Sequence, residues 1–330
     1  MGSGGIETGL DWSGKKVVVT GGAGFIGSHV VDELVARGAA VTIVDNFSTG
    51  FREFVNTADT VHLVEGDLLD QPLLDRTLAG KDFVFHLAAN ADVKDGLLHP
   101  RKDVEQNVLA THNVLEAMRH NGVKRIAFSS TGSVYGESEV IPTPEDAPFP
   151  IQTSLYGASK LASEGLLTAY AWGYGYSVYI YRFVSMLGPR YTHGHVIDFW
   201  RKLRKDPTEL EVLGDGHQRK SYLHVKDCVD AILLTIDRSK SDTGIHIYNI
   251  GHSDWIEVND SVRIITREMG LAPKIRYTGG IRGWIGDSPK ILLLASKLRA
   301  LGWAPRRSIE ESIVQTLRFL IENPFCDRRG

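Results

Sequence analysis

Cysteine is nearly absent from this 330-residue chain, which carries only Cys228 and Cys326. Two thiols so far apart give neither a disulfide framework nor a cysteine-ligated metal knuckle, and a reduced, cytoplasmic setting is expected. No charge of one sign dominates. The 37 Lys and Arg against 40 Asp and Glu leave a net charge of -3 with the signs interspersed, so nucleic acid and anionic membrane find no basic face. No apolar run approaches the roughly 20 residues that span a bilayer, and no repeat period or long Gly/Ser/Pro linker appears. A metal set is missing too: His193-Gly194-His195 has no neighbouring cysteine or acidic triad, so no metal is expected and segment 188–195 reads as a loop over the substrate. What remains is ordinary globular composition, 42% hydrophobic and 23% charged, with a small diffusible molecule as the natural partner.

Apolar runs alternate with amphipathic stretches. Segments 16–20, 40–44, 61–65, 83–87, 125–129 and 177–182 read as short buried strands, and 25–37, 101–120 and 154–172 have helical spacing. Strand, helix, strand repetition predicts an α/β fold with a doubly wound parallel sheet of the Rossmann kind. After Phe183 the rhythm breaks: a helix near 196–205, a hairpin around Gly214-Asp215-Gly216, strands near 221–225 and 245–250, and helices near 227–237, 257–269 and 308–322. The division is a flexible leader (1–14), a dinucleotide-binding domain (15–182) and a smaller α/β substrate-binding lobe (183–330), with chain crossings between the two possible.

The run Thr20-Gly21-Gly22-Ala23-Gly24-Phe25-Ile26-Gly27 follows an apolar strand and opens a helix, the context in which glycines bring backbone against a pyrophosphate at a helix N-terminus. Both a Gly-x-Gly-x-x-Gly and a Gly-x-x-Gly-x-x-Gly reading fit. Asp45 ends the next strand, where a carboxylate accepts from ribose hydroxyls and repels a 2′-phosphate, so NAD is favoured over NADP, with Asn46 assisting. Asp67 is placed for the adenine amino group or to cap the turn before Gln71-Pro72. Leu68, Leu87, Ala88, Ala89 and Ser129 complete the cofactor set.

Tyr156 and Lys160 are four apart in a helical stretch after Thr153-Ser154, an N-cap signal, and so share a face. A phenol with a pKa of about 10 must fall by roughly three units to act as a base at neutral pH, and an ammonium about 4 Å away supplies about that much. Thr131, at the end of a strand, is placed to hydrogen-bond the reacting oxygen and relay its proton to Tyr156. Trp255, Trp284 and Trp303 read as packing groups.

TGGAGFIGSH at 20–29, HLAANADV at 86–93, SSTGSVYG at 129–136, YGASK at 156–160, RFVSMLGPR at 182–190 and GDGHQRKSYLHVKD at 214–227 together resemble the extended short-chain dehydrogenase/reductase family. Within it, they resemble nucleotide-sugar epimerases of the UDP-glucose 4-epimerase type. The resemblance implies a tightly held NAD, Tyr156 as base, Lys160 as its tuning cation, and Thr131 where the family places a Ser or Thr. It implies transient oxidation at the sugar C4, rotation of the keto sugar and return of the hydride. Relatives that dehydrate nucleotide hexoses carry Asp-Glu where this chain has Gly132 and Ser133, and related decarboxylases carry a Glu at Ser133, so epimerisation is the expected reaction. The substrate set is Ser133, Ser185, His195, Val196, Arg219 or Lys220 for the diphosphate, Arg282 and Asp287. Ser185 stands where many relatives have Asn, and Arg219-Lys220 where they have an x-Arg pair. A UDP-sugar is the first expectation, with ADP-, GDP-, CDP- or dTDP-sugars as alternatives, and the resemblance implies a homodimer through helices 101–120 and 154–172. Two other readings compete: a nucleotide-sugar ketoreductase using the same three residues, and a non-catalytic NAD-binding sensor.

Overall fold

The computed structural model describes residues 10–91, 95–148, 151–239, 243–283 and 290–327. In chain order, β1 (Lys16–Thr20), α1 (Phe25–Ala36), β2 (Ala40–Asp45), β3 (Val61–Glu65), α2 (Gln71–Leu78) and β4 (Phe83–His86) form the first half of the nucleotide-binding unit. Then come α3 (Asp95–Leu98), α4 (Pro100–Asp103), α5 (Ala110–Asn121), β5 (Arg125–Thr131), α6 (Leu155–Tyr174) and β6 (Ser177–Phe183). The remainder comprises β7 (Ser185–Leu187), α7 (His195–Lys205), β8 (Glu209–Val212), β9 (Arg219–Lys220), β10 (Tyr222–His224), α8 (Val225–Asp237), β11 (Gly244–Ile250), β12 (Ile256–Glu257), α9 (Val258–Met269), β13 (Lys274–Tyr277), β14 (Lys290–Ile291), α10 (Ser296–Ala300) and α11 (Ile309–Glu322).

The expected doubly wound sheet is present: seven parallel strands in the order β11-β6-β5-β4-β1-β2-β3. The apolar runs are buried on both faces, with alternate residues committed to opposite sides. Val17, Val19, Phe83 and Phe85 pack with Val30 and Leu34 of α1 and Val229 and Ile232 of α8. Val18, Val84, Ile126 and Phe128 pack with Leu74 of α2, Val114 and Met118 of α5 and Leu167 of α6. Strand order reverses between β1 and β4, and a sheet that reverses opens a crevice beyond the carboxyl ends of those strands. Among the described residues, no helix is long and apolar enough to cross a membrane.

Three details depart from the sequence pattern. The expected helix 101–120 is interrupted: a π-helical segment, Val104–Leu109, separates α4 from α5. Beside this segment the Asn107 carbonyl accepts from the hydroxyls of Thr111 (2.5 Å) and Ser163 (3.1 Å) as well as from the Ala110 N–H. The Gly214-Asp215-Gly216 turn is not a hairpin, because β8 pairs with β13 while β9 pairs with β12 and β14. Gly214 and Gly216 take positive φ, +81° and +80°, and carry the chain from one small sheet to the other. Finally, β11 joins the central sheet beside β6 although it lies beyond residue 183, so the chain crosses from the second part back into the first.

Burial pushes the His86 and His195 imidazoles down to about 3, and those of His29 and His224 down to about 4. His86 is fully enclosed, its Nδ1 on Thr20 Oγ1 (2.8 Å) and its Nε2 on Thr111 Oγ1 (3.0 Å). Because Thr111 donates its own proton to the Asn107 carbonyl, His86 donates from Nε2 and accepts at Nδ1. Folded-state values below the ordinary 6.5 mean that the unfolded chain binds protons first, so this stabilisation is complete above about pH 6.5 and is lost as pH falls toward the folded values. The melting temperature should therefore drop steadily from pH 7 to pH 4, and less steeply in His86→Gln, measured by calorimetry; a flat profile would refute the assignment.

Candidate active site

Four residues turn the chain from β1 into α1. Gly21 does so at φ +70°, where a Cβ would lie 2.7 Å from the Ala88 nitrogen. Gly24 is the N-cap and offers no side chain to the first-turn N–H groups of Phe25, Ile26 and Gly27. A Cβ on Gly27 would strike the carbonyl oxygen of Gly21. Gly21, Gly24 and Gly27 thus meet backbone at every third position, and Gly22 is closed in by the Ile43 side chain and the Val19 carbonyl, so every glycine of the loop is crowded and both spacings stay compatible with it. A helix N-terminus with uncapped donors and no acidic residue in its first turn suits an anionic pyrophosphate.

The rim of this cradle is polar. Buried Asp45 accepts from Ala23 N (2.9 Å) through Oδ2 and from Phe47 N (2.9 Å) through Oδ1. Asn46 donates to Asp67 Oδ2 (2.9 Å), and Asp67 Oδ1 accepts from Leu69 N (2.9 Å), so Asp67 caps the turn before α2 while buried Leu68 anchors it. Leu87, Ala88 and Ala89 follow β4, with Ala88 N–H donating to Thr20 Oγ1 (3.3 Å). All of these residues gather at the switch point of the sheet.

On the far side of the crevice, β5 ends at Thr131, whose Oγ1 accepts from Ser133 N (3.1 Å) and donates to Ser133 Oγ (3.2 Å). Ser154 caps α6 by accepting from Gly157 N (3.0 Å), which starts the helix in time to set Tyr156 beside Thr131. Lys160 is 1% exposed. Its Nζ donates to the Ser129 carbonyl (2.7 Å) and lies 4.6 Å from the centre of the Phe128 ring.

The electrostatics differ from the charge pair that the sequence suggests. Burial pushes the Tyr156 phenol up to about 12, opposed by its hydrogen bond with Thr131 and reinforced by the nearby Asp103 carboxylate. Burial pushes the Lys160 amine down to about 7, against the pull of Glu164 and Asp103. Lys160 is directed at a carbonyl and does not tune the phenol by itself, because desolvation outweighs a charge shared with two carboxylates.

The substrate-side residues are distributed over the second part of the chain. Ser185 opens β7 and is exposed, while His195 and Val196 open α7 behind Gly194 (φ +113°). The His195 ring sits 4.6 Å from that of Tyr222, and its Nε2 is buried without a hydrogen-bonding partner. Neighbours on β9 face opposite ways. Exposed Arg219 pairs with Glu257 (3.0 Å) and lies over the Trp255 ring (5.4 Å), whereas Lys220 is half-buried and close enough to His195 to depress its basicity further. Trp255 is thus a surface platform for Arg219, not a core group; Trp303 is buried and donates to the Asp227 carbonyl (3.1 Å). Arg282 grips Glu137 through both Nη atoms (2.5 and 2.9 Å). Asp287, Trp284 and Val93 lie outside the described residues.

A model of the NAD dependent epimerase/dehydratase family matches residues 17–251. The chain belongs to that family. A putative UDP-glucose 4-epimerase from Methanocaldococcus jannaschii is 33% identical over 93% of this chain and 99% of its own length. A crystal structure of a UDP-galactose 4-epimerase superposes with a TM-score of 0.85 at 41% identity, covering 93% of this chain and 99% of that one. The UDP-glucose 4-epimerase of Thermotoga maritima, solved with UDP-glucose, gives 0.85 at 33% identity over 94% and 99% of the two chains. NAD is therefore the family's cofactor and that of this chain, and the cradle just described fits it.

Around this epimerase-family site the structure adds residues that sequence patterns did not single out. Asn90 donates to the buried Asp103 carboxylate (2.9 Å), and Asn107 reaches Ser159 Oγ (2.8 Å) beneath the catalytic helix. Glu164 and Arg182 form a buried ion pair (2.7 Å) behind Lys160. Glu164 stands one helical turn past Lys160, Asn90 lies in HLAANADV and Arg182 opens RFVSMLGPR, but their partners are brought in by strands and loops distant along the chain.

Gly27→Ala should damage the cradle without unfolding the core. Forcing a methyl against the Gly21 carbonyl costs about 1–3 kcal/mol, or about ten- to a hundredfold in NAD affinity, measured as NAD retained after purification and by titration. Full NAD content would refute the backbone contact.

Proposed function

We propose that this chain is an NAD-dependent nucleotide-sugar 4-epimerase, with a UDP-sugar as its substrate. The observation that carries the reading is the meeting of Tyr156 and Lys160 of α6 with Thr131 at the end of β5, across the crevice from the glycine cradle, in a strand end that continues into Gly132 and Ser133. The family's description includes dehydratases, and elimination of water needs an added acid and base; Gly132 and Ser133 supply no carboxylate. The UDP assignment is supported by the UDP-glucose and UDP-galactose 4-epimerases that this chain resembles.

When bound, NAD supplies the hydride acceptor for C4 of the sugar and the donor that returns it. Gly21, Gly24, Phe25, Ile26 and Gly27 hold its pyrophosphate, Asp45 with Asn46 the adenosine ribose, Asp67 the adenine, and Lys160 the nicotinamide ribose. Tyr156 takes the C4 hydroxyl proton, directly or through Thr131, and gives it back after the keto sugar has turned over. A phenol pushed up to about 12 by burial is a strong base once ionised but is rarely ionised alone, so cofactor charge and Lys160 together must lower it for turnover near neutral pH. On the substrate side Lys220 takes the diphosphate in preference to Arg219, which is committed to Glu257 and Trp255. Arg282 assists, with Ser133, Ser185, His195, Val196 and Asp287 around the sugar and nucleotide. A cytoplasmic enzyme fits two buried free thiols.

The outer sides of the π-helical segment Val104–Leu109 and of α6 support a homodimer. Val104, Leu109, Leu155 and Trp172 are 51%, 46%, 41% and 86% exposed, and Ala162, Gly165, Ala169 and Gly173 leave a row of exposed small residues along α6 on which a second helix pair can pack closely. Leu109→Glu should convert the dimer to a monomer in light scattering; a wild-type monomer would remove the proposal.

The reaction is tested with UDP-sugar deuterated at C4. An epimerase returns the deuterium to C4 of the product, with no solvent label at C5 and no release of water, carbon dioxide or NADH. Lys220→Ala should raise KM about tenfold or more, the scale of one charge-assisted contact, and Arg219→Ala should change it little. Label at C5, or stoichiometric NADH, would replace the 4-epimerase reading with a dehydratase or dehydrogenase.

A further inference from the structure

A lysine that is 1% exposed needs compensating negative charge nearby. Lys160 is faced from β5 by the Ser129 carbonyl and the Phe128 ring, from β4 by neutral His86, and from the end of α4 by Asp103. On its own helix it is faced by Tyr156 and Glu164. Residues four apart on a helix lie on one face, which places Glu164 one turn beyond Lys160, farther into the protein.

Glu164 is 4% exposed and Arg182 2%. Glu164 Oε1 accepts from Ser130 Oγ (2.5 Å) and Arg182 Nε (3.0 Å), and its Oε2 accepts from Arg182 Nη2 (2.7 Å). Arg182 Nη1 donates onward to the Tyr135 hydroxyl (2.7 Å) and the Glu145 carbonyl (3.0 Å), and Tyr135 donates to Asn249 Oδ1 (2.9 Å). One carboxylate therefore joins α6, which carries Tyr156 and Lys160, to β5 at the residue before Thr131 and to β6.

We propose that Glu164 is a positioning residue of the catalytic site: its buried carboxylate ties the helix of Tyr156 and Lys160 to the strand of Thr131 and supplies negative charge that keeps Lys160 an ammonium. The proposal rests on the reading of Tyr156 and Lys160 as the catalytic pair. The two roles are separable. The tie depends on the hydrogen bonds to Ser130 and Arg182, whereas the charge acts through space. Lys160 feels the Glu164 carboxylate in spite of Arg182, whose Nη1 is turned to Tyr135 and Glu145.

The test is the titration of Lys160 in the NAD-loaded protein, followed by NMR with 13C-labelled lysine and assigned by loss of the signal in Lys160→Met. In Glu164→Gln the amide keeps the shape and loses the charge, and the titration should move to lower pH by about one unit, the effect of removing one nearby opposite charge. The alkaline limb of the kcat profile should move with it. Glu164→Gln leaves Arg182 buried without a counter-charge, so Glu164→Gln with Arg182→Met provides a charge-balanced version in which a smaller shift in the same direction is expected. Ser130→Ala keeps the charge and cuts part of the tie; there kcat should fall with the Lys160 titration unmoved. An unmoved titration in the folded Glu164 variants, or an equal shift in Ser130→Ala, would overturn the proposal. A wild type that interconverts no nucleotide sugar, yet shows the shift, would sink the 4-epimerase reading while supporting the role of Glu164.

Discussion

Among the described glycines, none is pressed more closely against backbone than Gly27, whose α-carbon faces the carbonyl oxygen of Gly21. A methyl group does not fit between them, so α1 starts almost on top of the end of β1. That proximity aims the N-terminus of α1 across the carboxyl edge of the sheet, where the strand order reverses. The same loop fixes its neighbours: Gly21 leaves room only for the backbone of Ala88, Ala23 is held by Asp45, and Phe51 N–H reaches the Ala23 carbonyl at 2.9 Å. Positions on β1, β2 and β4 are thus set by one turn, and β5 and α6 inherit them through the sheet.

Across the crevice the constraint is charge in place of space. Lys160, Asp103, Glu164 and Arg182 are all nearly inaccessible to water, and each would be costly alone. Their cost is offset by hydrogen bonds in two sets, one joining Asn90, Asp103, Asn107 and Ser159 under α6 and the other joining Ser130, Glu164, Arg182, Tyr135 and Asn249, and by the bond from Lys160 to the Ser129 carbonyl. Such a network has few alternative arrangements, because shifting one member strands another without a partner. Rigidity at this point suits chemistry in which a proton and a hydride must leave and return along defined directions. The π-helical turn at Val104–Leu109 adjoins these bonds, its Asn107 carbonyl accepting from Thr111 and Ser163.

The division between what the sequence revealed and what it hid follows from range. The sheet strands, the glycine cradle, Asp45 and the Tyr156–Lys160 face were legible because each is defined by local spacing: period two, period 3.6, or a turn that only glycine permits. The strand β11 was visible as a strand, but its place beside β6 was not, since pairing partners distant in sequence leave no local mark. The supposed hairpin at Gly214 to Gly216 failed for the same reason: two glycines announce a turn without saying which strands it joins. The charge pair expected of Tyr156 and Lys160 overlooked burial. Side-chain spacing gives direction, whereas desolvation depends on everything packed around the site.

The two halves of the site are held by different kinds of interaction. The cradle is backbone against backbone, and the catalytic face is a buried polar lattice; neither yields without cost. The groups proposed to hold substrate are less firmly committed: Arg282 shares its guanidinium with Glu137 near the surface, and Ser185 is exposed at the start of β7. Exposed pairs of this kind contribute little stability, about 0–1 kcal/mol, and so can exchange one anion for another at small cost. An enzyme that only inverts a centre must keep its cofactor fixed while letting a keto sugar turn between two faces. That demand is met if binding energy is concentrated on the dinucleotide and on the diphosphate and kept weak at the sugar, which is how buried and exposed contacts are apportioned between the two sides of this crevice.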